Sequence, residues 1–216
     1  MSLPLLFEDE LRGFYRSKVM TVLWIGLPAL AGFLYYLSPD TAGIPFAAFA
    51  GLIVSSIGGV LASVMLTTSI LNERSRHVYD LFVVRPVRRM DILLAKFLAV
   101  YGCVVLAGAL ALALGIGIDY GLRGTPPAVG PTLSFLGIML GMLAVSCSAG
   151  VLIGVAAPSV LVGVILVVYG GNQLSAVVIL PVLTLSSEPW FPLLPGAGIS
   201  AALLALAVVL FDRKAL

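Results

Sequence analysis

Charged side chains are scarce in this sequence of 216 residues. They make up 10% of the chain, whereas a typical soluble domain carries about a quarter. Hydrophobic residues account for 61%, and the mean hydropathy is +1.16. This composition argues against a soluble enzyme, a nucleic-acid-binding domain or a disulfide scaffold. It predicts a polytopic membrane protein, because each bilayer crossing needs about 20 mostly apolar residues.

Residues that carry catalytic or metal chemistry are also few. The sequence has one histidine, His77, which is expected in a loop, and two cysteines. An intramembrane Ser–His hydrolase and an ordinary zinc site therefore lack their required side chains. Cys103 and Cys147 are interpreted as buried, apolar-like thiols rather than a redox pair. No lysine lies in a G-x-x-x-x-G-K-[ST] phosphate-binding loop, so any nucleotide must be bound by another polypeptide.

Six apolar stretches separated by charged residues, prolines and glycines predict an all-α membrane protein with six transmembrane helices. The predicted spans lie at residues 19–37, 46–71, 92–118, 132–156, 160–180 and 196–211, in a single domain covering 1–216. No acidic or basic side chain falls well inside these spans, and Lys96 is assigned to the loop side of the third. The lack of an intramembrane charge argues against a proton-driven secondary transporter.

Basic residues predict the orientation in the membrane. All Lys and Arg residues except Arg123 fall on one side of the six predicted spans. Because basic residues are retained on the cytoplasmic side, both termini are expected there, in a multi-pass protein of the plasma (inner) membrane. A cleaved signal peptide is the alternative for the first span, but the acidic residues Glu8, Asp9 and Glu10 do not suit its basic leader.

The loop between the second and third spans contains a predicted short helix, at about residues 75–84. Val78, Leu81 and Phe82 recur at helical spacing, and Pro86 disfavours continuation of the helix. Six basic residues lie in or beside this loop, so one interpretation is a topology anchor that contacts lipid headgroups.

The residues around this loop also resemble a known family. The matching positions are Glu73-Arg74, Asp80-Leu81, Pro86-Val87-Arg88 and Ile92-Leu93-Leu94-Ala95-Lys96. They are similar to the first cytoplasmic loop of the type-2 family of ATP-binding-cassette (ABC) export permeases. His77, Asp80 and Ala95 stand where that family usually has Gly, Glu and Gly.

The resemblance implies a coupling helix that docks on a separate ATPase subunit. Its expected docking residues are Glu73, Arg76, His77, Asp80, Leu81, Phe82 and Pro86. The resemblance further implies two ATPase copies, which hold ATP and magnesium, and a second permease copy, identical or not. No catalytic residue, cofactor or metal is expected on this chain, which is not itself an enzyme.

An amphipathic helix is predicted before the first span, at about residues 4–18. Its apolar stripe is formed by Leu6, Phe7, Leu11, Phe14 and Tyr15, and Glu8 and Arg12 form an i,i+4 pair on the other face. This pattern is typical of a helix in the membrane interface. The family resemblance adds a contact with the ATPase, and a plain interfacial anchor fits the pattern equally well.

The segment from Gly170 to Pro195 is predicted to be irregular, because a straight helix does not accommodate its four prolines. The resemblance implies a broken, re-entrant pair of short helices before the last span, and the alternative is a long external loop. Candidate pathway residues are Ser55, Ser56, Tyr169, Asn172 and Gln173. Each is alternatively a packing residue with an internal hydrogen bond.

The uncharged spans favour a lipid-like, amphipathic or haem-like cargo over a small anion. The Gly137–Gly141 and Gly150–Gly154 pairs are small-xxx-small patterns, compatible with packing inside one chain or between two.

The expected function is therefore export through a permease, driven by a partner ATPase, with the lipid bilayer as surroundings. A non-ABC six-helix channel or a membrane scaffold is the competing interpretation.

Overall fold

The computed structural model describes residues 3–37, 45–75, 89–122, 124, 129–179 and 193–214. It confirms six helices long and apolar enough to cross a membrane, preceded by one amphipathic helix. The chain is an all-α, multi-pass membrane protein. The helices are α1 Leu3–Tyr15, α2 Lys18–Leu37, α3 Phe46–Ser75, α4 Arg89–Gly121, α5 Val129–Ala156, α6 Val160–Ile179 and α7 Leu193–Lys214.

The helices α3 and α4 are the longest of the described helices. The helices α3 and α4 contain 30 and 33 residues, which at about 1.5 Å per residue exceeds the roughly 30 Å hydrocarbon core. Helical structure therefore extends beyond the predicted spans, as far as Ser75 in α3 and from Arg89 in α4. The expected docking residues Arg76, His77, Asp80, Leu81, Phe82 and Pro86 lie outside the described residues.

The helix α5 forms the centre of the bundle. In its most apolar window 78% of residues are buried, compared with 17% in α7 and 28% in α6. Small residues allow its neighbours to approach closely: a methyl group on Gly150 would lie 2.7 Å from the Cα of Ser63, and one on Gly196 would lie 2.6 Å from the Cα of Gly141. Gly141 and Gly150, one from each predicted small-xxx-small pattern, therefore serve packing within the chain.

The helix α6 changes its winding in the middle. It is α-helical over Val160–Leu166, makes a π-helical turn over Val167–Gly171, and resumes as α-helix over Asn172–Ala176. A short 3₁₀ turn follows at Val177–Ile179. The irregularity expected from Gly170 to Pro195 thus begins earlier, at Val167, while Asn172–Ala176 is α-helical and Pro195 lies within α7. The expected re-entrant segment falls mostly on residues 180–192, outside the described part of the chain.

Candidate functional site at the Lys96 end of the bundle

Lys96 lies two turns into α4, and its side chain is 2% exposed. Sequence reasoning grouped this residue with the charges of the loop, but the structure places it inside the helix bundle. Its Nζ donates hydrogen bonds to the Oε1 atoms of Glu10 and Glu73, both at 2.6 Å. One ammonium group therefore joins three elements, since Glu10 belongs to α1 and Glu73 to the last turn of α3. We call these three residues the Lys96 cluster.

Neighbouring groups complete the surroundings of the Lys96 cluster. Ser69, one turn before Glu73 in α3, donates a hydrogen bond to Glu73 Oε1 at 3.2 Å. The Phe14 ring lies beneath the ammonium, with its centroid 6.0 Å from Nζ. Burying a charge is unfavourable unless it is paired and hydrogen-bonded, and here two carboxylates supply that pairing. The cluster therefore depends on all three elements being present together.

The N-terminal helix α1 packs against α4 through most of its predicted apolar stripe, whereas Tyr15 is 59% exposed. Leu6 is buried in a small cluster with Ile92 and Ala95, and Phe14 is buried in the main core. The predicted Glu8–Arg12 pair is present on the exposed face, with 2.7 Å between Oε1 and Nη2. The stripe thus packs against the helix bundle of this chain.

Glu10 is the site residue that sequence reasoning missed. It lies four residues after Leu6 and four before Phe14, and therefore on the apolar face of α1. A carboxylate in the middle of an otherwise apolar stripe was the available signal, since such a group needs a buried partner of opposite charge.

Arg74 extends the same site to the central helix α5. Its Nη1 approaches the carbonyl oxygens of Val155 and Ala157 at 3.5 Å each. These contacts are long for hydrogen bonds, but they put a positive charge at the carboxyl end of α5, where the helix dipole favours it. The two residues Glu73-Arg74 therefore fasten the end of α3 to α4 on one side and to α5 on the other.

The opposite end of the α3–α4 pair is fastened by another carboxylate. Asp119, in the last turn of α4, is buried and accepts hydrogen bonds from the backbone N–H groups of Phe46 at 3.2 Å and Ala47 at 2.8 Å. These are the first two N–H groups of α3, which have no partner within their own helix. Asp119 therefore acts as an N-cap supplied by a different helix.

The structure separates the five candidate pathway residues. Ser55 is buried and its hydroxyl donates to Gly51 O of its own helix at 2.6 Å. The Ser56 hydroxyl donates to Asn172 Oδ1 at 3.1 Å and thus joins α3 to α6. Tyr169 and Gln173 lie on the outer surface of α6, and the Tyr169 residue is 75% exposed. The five therefore fall in three places: Ser55 bonds within α3, Ser56 and Asn172 bond between α3 and α6, and Tyr169 and Gln173 are exposed.

No family model, curated protein or solved structure matches this chain. The fold defines its class, a multi-pass all-α membrane protein.

Proposed function

We propose that this chain is the membrane-spanning permease subunit of an ATP-binding-cassette exporter and works with two copies of a separate ATPase subunit. The observation that carries the proposal is the Glu73–Lys96 ion pair. These two residues stand at the two ends of the segment that resembles the family's first cytoplasmic loop. Their pairing joins the two ends of the loop segment formed by residues 74–95. A force on this loop would therefore act on α3 and α4 together.

The contacts that fasten the helices suit a chain that transmits force. A loop that transmits motion must be joined stiffly to the spans on both sides. The α3–α4 pair is held at one end by the Lys96 cluster and at the other by Asp119. A push on the loop from closing ATPase subunits would therefore tilt the two helices as one body, and α1 would follow through Glu10.

The chain's own contribution is docking and force transmission. Arg76, His77, Asp80, Leu81 and Phe82 would form the docking surface, and Pro86 would end it. ATP and magnesium would be bound by the ATPase subunits, with both termini of this chain on the same, cytoplasmic side.

The cargo would pass along the polar region of α3 and α6. Ser56, Asn172, Tyr169 and Gln173 offer hydrogen-bonding groups among apolar neighbours and no charge. This mixture suits an amphipathic, lipid-like or haem-like molecule better than a small anion. A second permease copy would complete the pathway.

Purification of the tagged chain from its native membrane tests this function. We expect an ATPase subunit to co-purify with the wild-type chain and to be lost with Leu81→Asp or Asp80→Arg. Asp212→Arg is the matched control, because Asp212 is exposed at the end of α7 and lies outside the docking loop. An ATPase-free complex that conducts ions would contradict the proposal and identify a channel.

A further inference from the structure

The turn between α1 and α2 carries two positive charges that no carboxylate of the described chain neutralises. The helix α1 ends at Tyr15 and α2 begins at Lys18, so Arg16 lies between the two helices. Both Arg16 and Lys18 are exposed, and neither forms an ion pair within the described part of the chain. Asp9 is on the same side of α1 as Arg16 but about 10 Å away along the helix. We call residues 15–18, with their local excess of positive charge, the α1–α2 corner.

An exposed apolar face of α2 continues directly from the α1–α2 corner. Lys18, Val22, Ile25 and Ala29 follow one another at helical spacing on one side of α2, and all four are exposed. Val22 and Ile25 are 69% and 67% exposed, and 22% of the apolar window of α2 is buried. In a helix that crosses a bilayer, such a face has the length and polarity of a lipid acyl chain. Its cation stands at the end where a phospholipid has its phosphate.

Two aromatic residues mark the level of the headgroups. The exposed ring of Tyr15 meets the ring of Trp24 edge-on, with 5.1 Å between the centroids. Trp24 is held in place because its Nε1 donates a hydrogen bond to Cys103 O at 3.1 Å. Tyrosine and tryptophan are enriched where the hydrocarbon core meets the headgroups. Lys18 lies about 9 Å before Trp24 along α2, and therefore on the headgroup side of this pair.

We propose that the α1–α2 corner binds an anionic phospholipid of the surrounding bilayer, with its headgroup on Arg16 and Lys18 and an acyl chain along Val22 and Ile25. Arginine and lysine both bind phosphate oxygens. A zwitterionic lipid brings a cation of its own and leaves the positive charge of the corner uncompensated, whereas an anionic lipid supplies the net negative charge that is missing. The cation and the apolar face lie on one side of α2, so a single lipid molecule matches both.

The lipid site requires only the membrane-spanning fold, and it does not rest on the proposed function. Its partner is the bilayer itself, so neither an ATPase nor a cargo enters the test. Loss of the ATPase in the purification described above would leave the lipid site unaffected, and failure of the lipid site would leave the permease proposal unaffected.

Quenching of Trp24 fluorescence by brominated lipids tests the site. The chain has two tryptophans, and Trp190→Phe leaves Trp24 as the only one. The protein would be reconstituted in phosphatidylcholine vesicles that contain increasing fractions of phosphatidylglycerol brominated in the upper part of its acyl chains. Each basic residue near a membrane surface favours anionic lipid by about threefold to fivefold. We therefore expect phosphatidylglycerol to be enriched beside Trp24 about tenfold or more over its share of the bilayer.

Charge variants locate the enrichment. Arg16→Gln and Lys18→Gln should each lower it about threefold, the double variant should abolish it, and Lys18→Arg should preserve it. Arg213→Gln is the matched control, because it removes the same charge from an exposed position at the end of α7. An equal loss with Arg213→Gln would indicate a diffuse effect of net charge and overturn the proposal, as would enrichment that survives in the double variant. Quenching by phosphatidylglycerol in proportion to its bulk fraction would mean lipid without headgroup preference, and no quenching by any brominated lipid would mean that lipid does not cover this face. Either result also excludes the site.

A second measurement keeps both tryptophans and therefore holds even if Trp190→Phe disturbs the fold. A ligand that binds the folded state raises the thermal unfolding midpoint. Phosphatidylglycerol added to the chain in detergent should raise the midpoint of the wild type more than phosphatidylcholine does. The double variant of Arg16 and Lys18 should match the wild type in detergent alone and respond equally to the two lipids. Equal responses of the wild type to both lipids would contradict the site.

Discussion

The α3–α4 pair and the helix α6 have similarly apolar sequences but are held in different ways. The pair is fastened at one end by the Lys96 cluster and at the other by the Asp119 cap. The helix α6 contains a π-helical turn and is joined to α3 by a side-chain hydrogen bond between Ser56 and Asn172. Apolar composition specifies the crossings, whereas a few polar contacts fasten particular helices to one another.

Removing the charge of Lys96 should have the largest effect on how firmly the α3–α4 pair is held. Lys96→Met leaves Glu10 and Glu73 facing each other in a partly buried site, which typically costs about 3 kcal/mol or more. We expect a clear fall in the thermal unfolding midpoint in detergent and loss of protection of α1 in hydrogen exchange. Lys18→Met, at an exposed position, is the control. An unchanged midpoint for Lys96→Met would mean that the cluster does not hold the three elements together.

Glycine substitutions should separate the packed part of the bundle from α6. Gly150→Ala would place a methyl group 2.7 Å from the Cα of Ser63, and overpacking of this kind costs about 1–3 kcal/mol. A methyl group on Gly170 in α6 meets no atom within 4 Å. We therefore expect only Gly150→Ala to lower the unfolding midpoint. Equal losses for both variants would show that α6 is packed as tightly as α5.

The cap supplied by Asp119 should contribute less. Asp119→Ala leaves the N–H groups of Phe46 and Ala47 without this acceptor, and losing an N-cap typically costs about 1 kcal/mol. Hydrogen exchange should increase at the first turn of α3 and remain unchanged near Glu73. Asp91→Ala serves as the comparison, because it removes a carboxylate from the first turn of α4, at the other end of the α3–α4 pair. Faster exchange along the whole of α3 would contradict a local role for Asp119.

The smallest expected effect concerns the tie between α3 and α6. Ser56→Ala removes one interhelical hydrogen bond, worth about 0.6 kcal/mol in membrane helices. Exchange should rise in α6 over residues 172–176 and not in α3. Ser55→Ala is a closely matched control, because the neighbouring hydroxyl bonds within its own helix. If both variants raise exchange in α6 alike, Ser56 does not orient that helix.

The sequence allowed prediction of the parts that depend on local pattern. Hydropathy predicts six apolar helices, and the periodicity of residues 4–18 predicts an apolar stripe whose members other than Tyr15 are buried or half-buried. Both features arise from residues a few positions apart, as does the Glu8–Arg12 pair, which is confirmed.

The site depends on contacts between distant residues, and these could not be predicted. Lys96 pairs with residues 86 and 23 positions away, and Asp119 caps a helix that begins 73 positions earlier. The sequence predicts Lys96 on the loop side of the third span and gives no sign of its buried partners. Its burial follows from α1 folding back against α4, which the hydropathy of the spans does not reveal.

A double-mutant cycle between Glu73 and Lys96 tests most directly whether the two ends of the loop are held together. The free energy of unfolding would be measured for the wild-type chain, Glu73→Gln, Lys96→Met and the double variant. Residues in direct contact typically show an interaction energy of about 0.5–3 kcal/mol, and we predict at least about 1 kcal/mol for this buried pair. Strictly additive losses would mean that the pair does not join α3 to α4, and the proposed route of force transmission would be wrong.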